Sequence, residues 1–324
     1  MPIIYNHSYK PPFLFRNYHM NTIFPALFRK IKKIDYQRMR ISTPDDDFLD
    51  IDFSKADSNS LVIIIHGLEG NAGKPYMKGL VRSMNNADID AVAINLRDCS
   101  GKPNRKYYSY HSGKTEDLET VIKFIIENYK YKKIYLAGFS LGGNLVLKYV
   151  GERGNKINPI IKAAIGISVP CDLKATAYNF LKKDNWLYQK RFILSLRKKA
   201  LNKLKLFPEY QHLEKGIKKS KTFLEFDNLV TAAANGFKDA EDYWKQSSCK
   251  QFLTSIRIPT LLISALDDPF LPKECYPYEE AEQNPNFYFE TPKYGGHVGF
   301  INGYPLSKEL WSEKRVLEFF SDFQ

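Results

Sequence analysis

Ser140 sits in the frame Gly138-Phe139-Ser140-Leu141-Gly142, preceded by the apolar run Ile134-Tyr135-Leu136-Ala137 and followed by Leu145-Val146-Leu147. The first run reads as a buried strand and the second as the apolar side of a helix. A Gly-x-Ser-x-Gly turn between strand and helix is a nucleophile elbow, which raises one hydroxyl clear of the backbone. Side chains at 138 or 142 would collide with the turn or a neighbouring strand, which is why glycine suits both positions.

A serine hydroxyl becomes a nucleophile only when a base takes its proton, and a carboxylate must orient that base. With such an elbow the chain order is serine, acid, histidine. The segment Pro259-Thr260-Leu261-Leu262-Ile263-Ser264-Ala265 reads as a late strand that ends in Asp267 and Asp268. Hydrolases built this way often carry a small residue at the strand end, the acid three positions on and a proline four beyond. Ala265, Asp268 and Pro272 fit that frame, so Asp268 is the first candidate and Asp267 the alternative. His297 follows the next strand in Gly295-Gly296-His297-Val298-Gly299, where paired glycines let the chain turn the ring inward, whereas His7 and His212 have no such setting. The oxyanion of a tetrahedral intermediate needs preformed N–H donors. Those expected are the backbone amides of Leu141, next after the serine, and Leu68, in the loop His66-Gly67-Leu68-Glu69-Gly70. His66 reads as a brace for that loop, and Glu69 and Asn71 as either supporting or solvent-facing residues.

These residues need a scaffold. The runs 60–67, 90–96, 133–139, 160–169, 258–266 and 286–291 read as strands rich in aliphatic residues, alternating with helices over 75–87 and 115–129 and closed by a helix over 306–320. Such alternation implies a doubly wound, mostly parallel sheet. Residues 36–41 and 48–53 add two strands joined by a Thr43-Pro44-Asp45-Asp46-Asp47 turn. Residues 1–35, with Pro11, Pro12 and Pro25, read as an extended arm packed on the core. From 171 to 257 no strand pattern occurs; the stretch is helical, basic and aromatic and reads as a cap inserted into the core of 36–170 and 258–324.

The net charge of +12 gathers largely between Lys174 and Lys221. It reads as a solvated helical surface with, at most, weak peripheral attraction to anionic membrane headgroups or acidic substrates. No nucleic-acid-binding motif accompanies it. Four scattered cysteines, no zinc-ligand spacing, no basic n-region before an apolar core and no apolar run of about 18 residues suit a cytoplasmic protein with reduced thiols and neither metal nor cofactor.

Taken together, these segments resemble the α/β-hydrolase superfamily, and within it the group of bacterial YheT-type hydrolases, plant embryogenesis-associated proteins and animal ABHD-type lipases. The resemblance rests on His66–Gly70, Gly138–Asn144, Gly295–Phe300, Tyr110–Asp117, the His19-Met20-Asn21-Thr22 segment and Asn95-Leu96-Arg97-Asp98-Cys99-Ser100-Gly101. In the last of these, Asp98 replaces the glycine usual in the family. The resemblance implies an α/β-hydrolase fold and a serine hydrolase for carboxylic esters, a group in which some members act on lipid esters; the aromatic residues of 171–257 suggest a hydrophobic acyl group of short or medium chain. The resemblance leaves room for an acyltransferase using the same triad or a non-catalytic binding scaffold. Arg97 and His111 could line the cleft or serve the structure.

Overall fold

In the computed structural model, which describes residues 2–5, 8–303 and 309–323, one sheet runs through the molecule. Its strands are β1 (Ile3–Ile4), β2 (Gln37–Thr43), β3 (Asp47–Ser54), β4 (Ser60–Ile65), β5 (Asp90–Asn95), β6 (Lys133–Phe139), β7 (Ile161–Ile167), β8 (Thr260–Ile263) and β9 (Phe287–Glu290). Their spatial order is β1-β9-β8-β7-β6-β4-β5-β3-β2. Only the β2–β3 and β3–β5 pairings are antiparallel. The fold is the α/β-hydrolase fold.

The aliphatic strands are buried on both faces, which is what a run without polar alternation demands. On β4, Leu61, Ile63 and Ile65 enter one apolar layer with Ile134, Leu136, Leu145 and Val146. Val62 and Ile64 enter the other, with Tyr135, Ala137 and Phe139. The helix Thr115–Asn128 buries Leu118, Val121, Ile122 and Ile125, the stripe that its periodicity predicts.

The N-terminal arm departs from the extended expectation. β1 adds to the sheet edge beside β9, and residues Tyr18–Phe28 form a helix with Pro25 inside it. Asn17 caps that helix by accepting the Met20 N–H. Pro25 removes the N–H that would pair with the Asn21 carbonyl. That carbonyl instead faces Gly299, where an added Cβ would lie 2.0 Å from the oxygen. Tertiary contacts therefore stabilise a helix that local propensity disfavours. The buried Arg29–Glu313 pair, at 2.6 Å, fastens its end to the last helix, Trp311–Ser321. The start expected for that last helix, 306–308, lies outside the described residues.

Between β7 and β8 the chain runs through the helices Leu173–Asn179, Trp186–Leu204, Glu214–Lys219 and Ala240–Ser247. Much of this segment shares an apolar cluster, including Phe180, Ile193, Phe223, Phe226 and Trp244, which also takes in Phe270 from the loop after β8. Two lysines of the basic stretch are not on a solvated surface. Lys203 is buried against Asp98 at 2.8 Å, and Lys199 pairs with Glu69 at 2.6 Å. The four cysteines are buried and free. No described helix is long and apolar enough to cross a membrane.

Candidate active site

Ser140 follows β6, Leu68 follows β4, Asp268 follows β8 and His297 follows β9, so all four lie beyond the carboxyl ends of parallel strands, where open α/β sheets place ligands. At Ser140 the backbone takes φ 52° and ψ −120°. A non-glycine residue at positive φ stores strain that the surroundings must enforce. The enforcement is visible in the flanking glycines. A Cβ on Gly138 would lie 2.3 Å from the Gly142 carbonyl oxygen, and one on Gly142 would lie 2.4 Å from that of Ile65. The Ser140 N–H donates to the Ile167 carbonyl of β7, while the Ser140 carbonyl accepts from Asn144 in the first turn of the helix Leu141–Arg153. Asn144 then ties this helix to three distant backbone groups, at Ser112, Ser247 and Cys249.

The two aspartates after β8 separate cleanly. His297 Nδ1 lies 2.8 Å from Asp268 Oδ2, and the Asp268 side chain is fully buried. Asp268 Oδ1 accepts the Phe270 N–H, which fixes the carboxylate plane. Asp267 points elsewhere: its Oδ1 accepts the Gly296 N–H, and its Oδ2 is buried without a partner among the described residues. Burial, with the neighbouring Asp268 charge adding to it, pushes the Asp267 carboxyl up to about 6.

The histidine loop needs the paired glycines, since Gly296 takes φ 55° and sits against Tyr18 and Thr22. The His297 N–H donates to Thr22 Oγ1 at 2.9 Å, and the Val298 N–H to Ser168 Oγ. Phe270 covers the imidazole at 4.3 Å between centroids. With Nδ1 committed to Asp268, Nε2 is the ring nitrogen left for chemistry. Ser140 and His297 line the same cavity.

In the loop after β4, the Gly67 N–H goes to the Tyr76 hydroxyl, the Glu69 N–H to the Tyr110 hydroxyl and the Gly70 N–H to the Gly67 carbonyl. Leu68 alone in this turn keeps an N–H that no described residue accepts, and Leu141, first residue of its helix, keeps another. His66 is buried between two backbone groups: Nε2 accepts from Leu96 and Nδ1 donates to the Gly67 carbonyl. Burial pushes its pKa down to about 4, so it stays neutral as a brace. Asn71 accepts the Gly73 N–H and shapes the following turn.

The cavity, about 1240 Å³ with its open mouth, is walled by Leu173, Phe180, Phe192, Phe223, Phe226 and Phe270, with Ser140 and His297 at the nucleophile end. Asp98, Lys199 and Lys203 also line it. His111 lines it too; it meets Phe237 and Tyr243 edge-on, and burial pushes its pKa down to about 3. Arg97 does not reach the cavity. It is buried in a bidentate pair with Asp117 and bonds to Asp45 and Asp47, holding the end of β5 to the β2–β3 turn. Asp98 takes φ 60°, the conformation in which glycine is at ease, and Lys203 meets its carboxylate. Sequence reasoning assigned no role to Thr22, Ser168, Tyr110, Ser195 or Lys199. Thr22 and Tyr110 lie in segments that carry the family resemblance; the others offered no signal. Among the described residues no group of three or more His, Cys, Asp or Glu side chains is placed to hold a metal ion.

Strand order, elbow and loop positions define an α/β hydrolase, and a family model of the alpha/beta hydrolase fold matches residues 60–304; the chain belongs to this family. It also falls in the expected group within it. It is 33% identical over 314 residues to YheT of Escherichia coli (strain K12), which carries an esterase name, covering 95% of this chain and 92% of that one. It is 31% identical over 279 residues to the Bos taurus phospholipase ABHD3, covering 83% and 67%. Among solved structures, the Pyrococcus furiosus esterase PF2001 superposes with a TM-score of 0.61 at 19% identity, covering 90% and 92%, a likeness of fold.

Proposed function

We propose that the protein hydrolyses carboxylic esters with a hydrophobic acyl group through an acyl-enzyme on Ser140. The chain is an esterase- and lipase-like α/β hydrolase, and its enzyme class is carboxylic ester hydrolase. His297 Nε2 takes the Ser140 hydroxyl proton as Oγ attacks the ester carbonyl carbon. The oxyanion that forms is met by the Leu68 and Leu141 N–H groups. The imidazolium, held by Asp268, returns the proton to the departing alkoxide. Water then repeats the sequence on the acyl-enzyme, giving its proton to His297, and the acid leaves with Ser140 regenerated. In catalysis of this kind, donors fixed around the oxyanion in a site that excludes water commonly lower the barrier more than any other single effect.

One observation carries this reading: the 2.8 Å His297–Asp268 pair opens on the same cavity as Ser140, beside the Leu68 and Leu141 N–H groups, which no described residue accepts. The aromatic walls contributed by residues 171–257 favour an apolar acyl chain, and this segment acts as the cap that selects substrate. Fluorophosphonate labelling tests the nucleophile: wild type labels and Ser140→Ala does not. Equal labelling of both proteins overturns the reading. Hydrolysis rates across esters of increasing chain length then report the cap's preference.

A further inference from the structure

Many of the exposed large apolar side chains fall in two stretches of the chain. Phe13 is 80% exposed, Leu27 59% and Phe28 57%, and Leu14, Met20 and Ile23 join them within residues 13–28. On the helix Tyr18–Phe28, Met20, Ile23 and Leu27 recur at i, i+3 and i+7 and therefore share one stripe. The other side of the same helix is fully engaged. Asn21 is buried and accepts the Ile301 N–H, and Thr22 accepts the His297 N–H. A helix whose inner side grips the histidine loop thus presents an apolar stripe to solvent.

A second exposed apolar group adjoins it. His19 Nδ1 lies 2.8 Å from the Tyr188 hydroxyl, joining the helix to the start of Trp186–Leu204, where Trp186, Leu187 and Leu194 are exposed. Exposed cations flank both groups: Arg16, Lys30, Lys32 and Lys33 on the arm, and Lys190 and Arg191 beside Trp186 and Leu187. No acidic residue precedes Asp35 in the chain.

An apolar patch rimmed mainly by cations, with Asp184 the exposed acid beside Trp186, marks an interaction surface. We propose that the arm, with the first turns of the helix Trp186–Leu204, docks peripherally on an anionic lipid bilayer. Apolar side chains would enter the acyl boundary while lysine and arginine meet headgroup charge. The rim argues against a second copy of this chain, because a two-fold contact through this face would set like charges against each other. This extends the basic-surface expectation from the inserted segment alone to a face centred on the N-terminal helix.

The test is co-sedimentation of the full chain with vesicles of phosphatidylglycerol and phosphatidylcholine, and with phosphatidylcholine alone. Wild type binds the anionic vesicles, and binding falls as salt rises. Ile23→Asp/Leu27→Asp lowers binding about tenfold or more, and Leu187→Ser/Leu194→Ser lowers it independently from the other helix. Unchanged hydrolysis of a water-soluble ester and an unchanged melting temperature verify the fold of each variant. Equal binding by wild type and both double variants overturns the proposal, as does equal binding to phosphatidylcholine alone. A dimer in solution that Ile23→Asp/Leu27→Asp dissociates also overturns it and assigns the face to a second copy.

Discussion

Lys199 Nζ lies 2.6 Å from Glu69 Oε1, a charge pair that joins the helix Trp186–Leu204 to the residue following Leu68. Ser195, one helical turn earlier, donates to the other carboxylate oxygen at 2.6 Å. The Tyr110 hydroxyl both donates to Glu69 and accepts its N–H. Glu69 takes φ 55°, so three side chains hold a strained turn that aims the Leu68 N–H. Burial pushes the Glu69 carboxyl up, yet Lys199 with its hydroxyl partners brings it below its ordinary value.

Lys199→Met should leave Glu69 buried and uncompensated, loosening the Leu68 turn. The expected result is a fall in kcat of about tenfold to a hundredfold, with a smaller change in KM, since an oxyanion donor acts in the transition state. Lys199→Met/Glu69→Gln should recover part of the loss. Steady-state kinetics on a soluble ester check this; a change confined to KM would leave the pair with a role in substrate binding alone.

The aspartate pair gives a sharper contrast. Asp268→Asn removes the acceptor that selects the His297 tautomer and should lower kcat by roughly 10³- to 10⁴-fold. Asp267→Asn keeps an oxygen for the Gly296 N–H and should stay within a few-fold of wild type. Comparable losses in both variants would show that Asp267 shares the orienting role.

Asp98 offers a trade between backbone and charge. Asp98→Gly relieves the positive φ, a gain of about 1 kcal/mol. It also leaves the buried Lys203 ammonium without its carboxylate, a cost of about 3–5 kcal/mol when one member of a buried pair is removed. Net destabilisation is expected in chemical denaturation, and Asp98→Gly/Lys203→Met should restore most of it. A single variant as stable as wild type would show that the Asn104 carbonyl, already 2.9 Å from Lys203 Nζ, is acceptor enough.

His66 makes stability depend on pH. Its folded pKa lies at about 4 against an ordinary 6.5 because burial disfavours the cation. Above pH 6.5 neither state binds the proton and the full contribution is present. As pH falls from 6.5 to 4 only the unfolded chain binds it, so this contribution is lost at up to about 1.4 kcal/mol per pH unit. His66→Gln should be less stable than wild type at pH 7.5, and the gap should narrow toward pH 4. Denaturation midpoints at stepped pH measure it; a gap that widens on acidification would contradict the assignment.

Much of this molecule is written in short-range pattern. Leu61 to Ile65 and Lys133 to Phe139 could be read from unbroken apolar runs, and the stripe of helix Thr115–Asn128 from its period, because each element must bury its own apolar surface. The elbow was readable because the steric demand on Gly138 and Gly142 comes largely from the turn itself and the neighbouring strand. The order of Ser140, Asp268 and His297 was readable because the scaffold strings its loops in sequence. Tertiary structure alone decided which aspartate meets the imidazole, since Asp267 and Asp268 differ only in the direction each side chain leaves the loop. It also decided that Lys199 and Lys203 turn inward from a basic helix, and that residues 18–28 coil around Pro25. Thr22 and His297 stand 275 positions apart, and no local preference encodes a hydrogen bond between them. Such contacts exist only once the sheet and its loops have brought distant segments together, which is where this site acquires its geometry.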